Sequence, residues 1–62
     1  MRITDKHSEK VRSKRGKLAL TKKKLSKTLN ISIKTLAKIE QGNYDAPKRI
    51  YQIVMEWLVE DD

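Results

Sequence analysis

The chain has no cysteine and no phenylalanine, one histidine, one proline and two glycines. Without cysteine it can form no disulfide, no thiolate metal site and no thiol nucleophile. A lone His7 excludes the H-E-x-x-H zinc arrangement. No nucleophile is paired with a base, and no glycine-rich phosphate loop is present. These absences point to a non-enzyme, with no catalytic residue, no metal, no cofactor and no small-molecule ligand. Tyr44, Tyr51 and Trp57 are the whole aromatic complement, too few for the stacking platforms on which single-stranded RNA is held. No apolar run approaches the roughly 18 residues of a membrane span, and the charged N-terminal stretch does not resemble a signal peptide. Together with the missing cysteine, this leads us to expect a cytoplasmic chain without a membrane partner. No stretch alternates like a strand, and neither a repeat nor a linker interrupts the sequence. The expected fold is therefore all-α, one domain over residues 1–62, near the lower size at which a chain folds without metals or disulfides.

Charge is plentiful but unevenly distributed. Residues 1–49 carry all 15 Lys and Arg against Asp5, Glu9, Glu40 and Asp45, whereas residues 50–62 carry only Glu56, Glu60, Asp61 and Asp62. Such a division points to a polyanionic partner for the first part of the molecule and not for its end. The last three carboxylates read as a frayed acidic tail.

Four helices can be placed. Thr4 or Asp5 opens the first, which runs to about Arg15 or Gly16, with Ile3, His7, Val11, Arg15 and Leu18 along one line and Gly16 at a frayed end. His7 on that line reads as a boundary side chain. Leu18 and Leu20 are expected to enter the core. Thr21 is a suitable N-cap for a second helix to Leu29, with Leu25 and Leu29 as its apolar stripe and small Ser26 allowing close approach of a neighbouring helix. Asn30 tolerates the left-handed conformation of a tight turn, and Ile31 tucks beneath it. Ser32 caps a third helix over Ile33 to about Gln41, with Leu36 and Ile39 inward and Gly42 at the expected left-handed C-terminal position. Asn43 to Ala46 read as a loop. Pro47 suits the first turn of a fourth helix running to about Val59 or Glu60.

From Val11 to about Pro47 the order VRSKRGKLALTKKKLSKTLNISIKTLAKIEQG resembles the DNA-binding domain of the lambda-type phage repressor and Cro family, the XRE-type helix-turn-helix. The chain departs from that pattern with Ser26 where Ala is usual, Asn30 where Gly is usual, Lys23 and Lys24 at often neutral or acidic positions, and room for only one helix after Ile50. The resemblance implies a compact four-helix lambda repressor-like domain with its helix-turn-helix at about residues 21–41. It further implies a Cro-like or small repressor of a phage or mobile element, with the third helix in the major groove of double-stranded DNA. It also matches Arg15 and Glu40 to a partly buried ion pair, consistent with Arg15 following the apolar line and Glu40 following core Ile39.

The same resemblance assigns base edges to the first, second, third and sixth residues of the recognition helix, here Ile33, Lys34, Thr35 and Lys38. Lysine can donate to guanine O6 and N7, while Ile33 and the Thr35 methyl can pack on a thymine methyl; Thr35 could instead reach a phosphate. Ile33 lies beside Ser32 and across from Leu36, which argues against a core position. Lys22, Lys23 and Lys24 oppose the macrodipole of the second helix, a cost of roughly 0.3–1 kcal/mol each that a docked phosphate would relieve. Candidate phosphate contacts are Lys22, Lys23, Ser32, Asn43, Tyr44 and Lys48, with Arg49 beside them; Tyr44 reads equally well as a packing residue.

The fourth helix places Ile50, Ile53, Val54, Trp57 and Leu58 on one face and Tyr51, Met55 and Val59 on an adjoining one. That second stripe is the candidate dimer surface. A homodimer would present two recognition helices about 34 Å apart to a palindromic operator. The alternative is a protein-interaction module, such as an antirepressor or antitoxin, that uses the fourth helix and binds DNA only secondarily.

Overall fold

The computed structural model describes residues 1–60; Asp61 and Asp62, and with them most of the expected acidic tail, lie outside the described residues. In chain order the elements are β1 (Arg2–Ile3), α1 (Asp5–Lys17), α2 (Lys22–Leu29), α3 (Ile33–Gln41), β2 (Tyr44–Asp45) and α4 (Lys48–Val59). The architecture is mostly helical, and the two short strands correct the expectation of a purely α domain. They pair antiparallel, with Arg2 opposite Asp45 and Ile3 opposite Tyr44, and Ala46 N–H donates to the Met1 carbonyl at 2.8 Å. Ile3 thus reaches the core from a strand rather than from the helix line, and the segment expected as a loop supplies the pairing edge. Two residues per strand are too few to register as a period-2 pattern.

Thr4 caps α1. Its Oγ1 accepts from His7 N–H at 3.3 Å, and His7 Nδ1 accepts from Thr4 N–H at 3.2 Å, a capping box in which histidine takes the place of the usual Glu or Gln. The imidazole also meets Tyr51 edge-on, with ring centroids 6.1 Å apart. The buried residues of α1 are Ser8 and Val11. Ser8 fits inside because its hydroxyl donates to the Ile39 carbonyl of α3, which leaves no polar atom unpaired while the two helices approach closely.

The end of α1 differs from expectation. Gly16 lies within the helix, and the left-handed residue is Ala19, at φ 56°. Leu20 N–H donates to the Arg15 carbonyl at 3.0 Å and Ala19 N–H to that of Gly16 at 3.1 Å, the paired bonds of a Schellman ending. This turn leaves Leu18 40% exposed instead of in the core; Leu20 is half-buried against it.

The core consists of Ile3, Val11, Leu25, Leu29, Leu36, Ile39, Ala46, Ile50, Val54 and Trp57, drawn from every element except β2, with Ala46 directly after it. Pro47 is the N-cap of α4 rather than a residue of its first turn, and no side chain caps this helix. Of the two stripes on α4, Ile50, Val54 and Trp57 are buried, while Ile53 and Leu58 are half-buried. Tyr51 and Met55 also pack against the core, so of the three residues read as a dimer surface only Val59, 78% exposed, stands free of it. One small core uses most of the apolar surface of α4, which removes the reasoning that the helix carries more than one core can absorb.

Candidate nucleic-acid interface

Three residues, Asn30 to Ser32, join α2 to α3. Thr21 Oγ1 accepts from Lys24 N–H at 3.1 Å, and Ser32 Oγ accepts from Thr35 N–H at 3.1 Å, so both helices begin on hydroxyl caps. Asn30 adopts φ 57° and ψ 46°; Ile31 N–H reaches the Ser26 carbonyl at 2.9 Å and Asn30 N–H that of Lys27 at 3.1 Å. These bonds close the turn with the left-handed residue that asparagine tolerates. Leu25 and Leu36 are fully buried, and Ser26, buried beside them, turns its hydroxyl onto the Lys23 carbonyl at 2.7 Å. With the inward residues fixed, the remaining helical positions face outward.

A charged tie holds the C-terminal half of α3 to α1. Arg15 Nε meets Glu40 Oε2 at 2.7 Å, and Arg15 Nη2 meets Oε1 at 3.2 Å, a two-point fork on a carboxylate only 5% exposed. Arg15 also donates to the Leu20 carbonyl at 3.1 Å, and Arg12 donates to the backbone carbonyl of Glu40. The fork satisfies both carboxylate oxygens, which burial of a charge demands. Its consequence is positional: α3 is fixed in rotation relative to α1.

On the outward side of α3, Ile33 is 49% exposed, and Lys34 and Lys38 are exposed. Thr35 is half-buried, and its Oγ1 accepts from Ser32 Oγ at 2.9 Å, which leaves its own O–H free to donate and its methyl free to pack. Lys38 is not free. Its ammonium lies 5.9 Å from the Tyr44 ring centroid, at the outer limit of a cation–π contact. Tyr44 is half-buried and packs against the core, so the packing reading of this residue holds and it also steadies Lys38.

Lys22, Lys23 and Lys24 are all exposed at the start of α2. None enters an ion pair among the described residues, where the pairs are Met1–Asp45 and Arg15–Glu40. Lys48 and Arg49 are likewise exposed at the start of α4, the helix without a side-chain cap. Asn43 is exposed at φ 53°, and its Oδ1 accepts from the Arg2 guanidinium.

Arg2 is the residue that sequence reasoning missed. The β1–β2 pairing places it beside the segment that follows α3, a long-range neighbourhood that no local pattern announces. Gly42 departs from expectation as well: at φ 94° and ψ 168° it is not left-handed helical but in a region essentially restricted to glycine. A Cβ there would stand 2.5 Å from Asp5 Oδ1 and 3.3 Å from Ser8 Oγ.

Among the described residues no group of three His, Cys, Asp or Glu could hold a metal ion, and no helix is long and apolar enough to cross a membrane. The surface offers exposed cations at the starts of α2 and α3, which are hydroxyl-capped, and of α4, which has no side-chain cap, together with one apolar side chain and one methyl on α3. Comparison of the chain with protein-family models, with curated proteins and with solved structures gives no match in any of the three.

Proposed function

We propose that the chain is a sequence-specific DNA-binding transcriptional regulator of the lambda-repressor/Cro type, a Cro-like or small phage or mobile-element repressor that docks α3 in the major groove. The observation that carries this reading is the outward face of α3. A half-exposed Ile33, a free Lys34, the Thr35 methyl and a Tyr44-steadied Lys38 project from a helix whose opposite side is fixed by Leu36, Ile39 and the Arg15–Glu40 fork. An apolar side chain left half in water beside Lys34 gains little in a free monomer and can pack on a thymine methyl in a complex.

Lys22 and Lys23, with the Ser32 cap, Asn43 and Lys48, serve as phosphate contacts around this face, and Arg2 joins them through Asn43. Phosphates at the starts of α2 and α4 would meet both the lysines and unbonded helix N–H groups. A palindromic operator would take two copies in the cytoplasm. Val59 is the side chain of α4 most available for their contact.

Binding to a specific duplex and to random duplexes, each followed across salt concentration, tests the reading. The expected result is a steep loss of random binding with salt while one site is retained about a thousandfold better. Equal affinity for every sequence would overturn it.

A further inference from the structure

Helix α1 carries a second set of cations on the side away from α3. Lys6, Lys10, Lys14 and Lys17 follow one another at helical spacing, and such like-charge neighbours weaken an isolated helix. Lys14 has a local use. Its ammonium stands 4.7 Å from the Trp57 ring centroid and donates to the Trp57 carbonyl and, at 2.6 Å, to the Glu60 carbonyl, which satisfies the open end of α4 and seats it on α1. Lys10 and Lys17 have no such use.

Between them and the end of α4 runs a groove of about 340 Å³. Leu18 and Leu58 give its apolar lining, Lys10, Lys14 and Lys17 its cations, Ser13 a hydroxyl and Glu60 a carboxylate. Leu18 is held exposed there by the Schellman turn rather than by disorder.

We propose that this groove docks an acidic amphipathic segment of a partner protein, with an apolar side chain on Leu18 and Leu58 and carboxylates on Lys10 and Lys17. Charge complementarity selects the sign of the partner, and the leucine lining selects its class. A nucleic-acid strand would meet the lysines but leave both leucines bare, and Glu60, which repels phosphate and carboxylate alike, does not distinguish the two. No residue of the groove belongs to α2, α3 or β2, so the segment can bind together with a duplex held by α3. The proposal stands independently of the DNA-binding reading.

The probe is a short fluorescent peptide of Leu and Glu patterned to place leucine on one helical face, alongside a scrambled peptide of the same composition. Anisotropy at physiological salt should show the patterned peptide binding roughly tenfold or more tightly than the scrambled one. Amide resonances of Lys10, Ser13, Lys17, Leu18 and Leu58 should shift. Lys10→Glu combined with Lys17→Glu should weaken binding about tenfold or more, and Leu18→Ser should weaken it without altering the helical circular dichroism. These side chains are exposed, so the fold remains.

Equal binding of the scrambled peptide, or unchanged binding by both variants, would overturn the proposal. Displacement of the peptide by a saturating duplex would assign the groove to nucleic acid instead. A dimer of the free protein that the double charge reversal abolishes would assign it to a second copy. If duplex selectivity fails while the patterned peptide binds as expected, only the DNA-binding reading falls.

Discussion

Glu40 shows how one side chain can decide the orientation of a surface it does not belong to. Its carboxylate is 5% exposed and Arg15 is 22% exposed, so the pair lies between an exposed one, worth ~0–1 kcal/mol, and a fully buried one, whose breaking costs ~3–5 kcal/mol. Glu40→Gln is expected to cost about 2 kcal/mol, since Arg15 retains some access to water. For a domain of this size that corresponds to a fall in melting temperature of roughly 10 °C. An unchanged melting curve would show that the fork contributes nothing.

The two glycines make opposite predictions for the same substitution. At Gly16, within α1, a Cβ meets nothing within 4 Å, so Gly16→Ala should stabilise by roughly 0.5–1 kcal/mol through chain entropy. At Gly42 the backbone is at φ 94° and a Cβ would press on Asp5 and Ser8, so Gly42→Ala should destabilise by about 1–3 kcal/mol. Denaturant titration of both variants should shift their midpoints in opposite directions, and a common direction would contradict the backbone assignments.

At the scale of elements, the α2–turn–α3 unit was legible because its determinants are local. Thr21 and Ser32 are caps bonding three residues ahead, Asn30 is a left-handed residue by its own chemistry, and Leu36 and Ile39 repeat at helical spacing. What escaped depends on distant partners. The β1–β2 pair joins residues more than forty positions apart, and with it came Arg2 beside Asn43 and Tyr44 beneath Lys38. Ser8 became a core residue only because the Ile39 carbonyl was there to accept its hydroxyl. Gly16 drew attention as a helix end, yet the Schellman turn placed its left-handed residue three positions later at Ala19.

The proposed function assigns different roles to two lysines. Lys34, free on α3, is expected to act on sequence discrimination, and Lys22, at the start of α2, on overall affinity. Lys34→Ala should lower affinity for the preferred duplex by ~1–3 kcal/mol and relax the preference at one base position. Lys22→Ala should weaken all duplexes alike and reduce the salt slope by about one ion. Fluorescence titrations over a salt series distinguish the two, and identical behaviour of both variants would remove the distinction between base-facing and phosphate-facing lysines.

At the scale of the whole molecule, one core of ten buried apolar side chains draws in nearly every element, and α4 gives it most of its apolar surface. Beyond Val59, α4 itself keeps little apolar surface for self-association, so the free protein should sediment as a monomer at micromolar concentration and pair only on a palindromic duplex. A stable dimer without DNA, lost in Val59→Asp, would instead place a strong interface on α4. The charge division of the sequence is bridged in the fold: the acidic end of α4 lies against α1, where Lys14 donates to the Trp57 and Glu60 carbonyls and Glu60 shares a groove with Lys10 and Lys17.

On the proposed function, the outward face of α3 reads base sequence. Selection of bound duplexes from a random pool, sequenced after several rounds at physiological salt, tests it most directly. The expected result is an enriched palindromic site whose half-sites lie about 34 Å apart, with the enrichment weakened at one position by Lys34→Ala. A pool that remains random through selection, although the protein binds DNA, would contradict it.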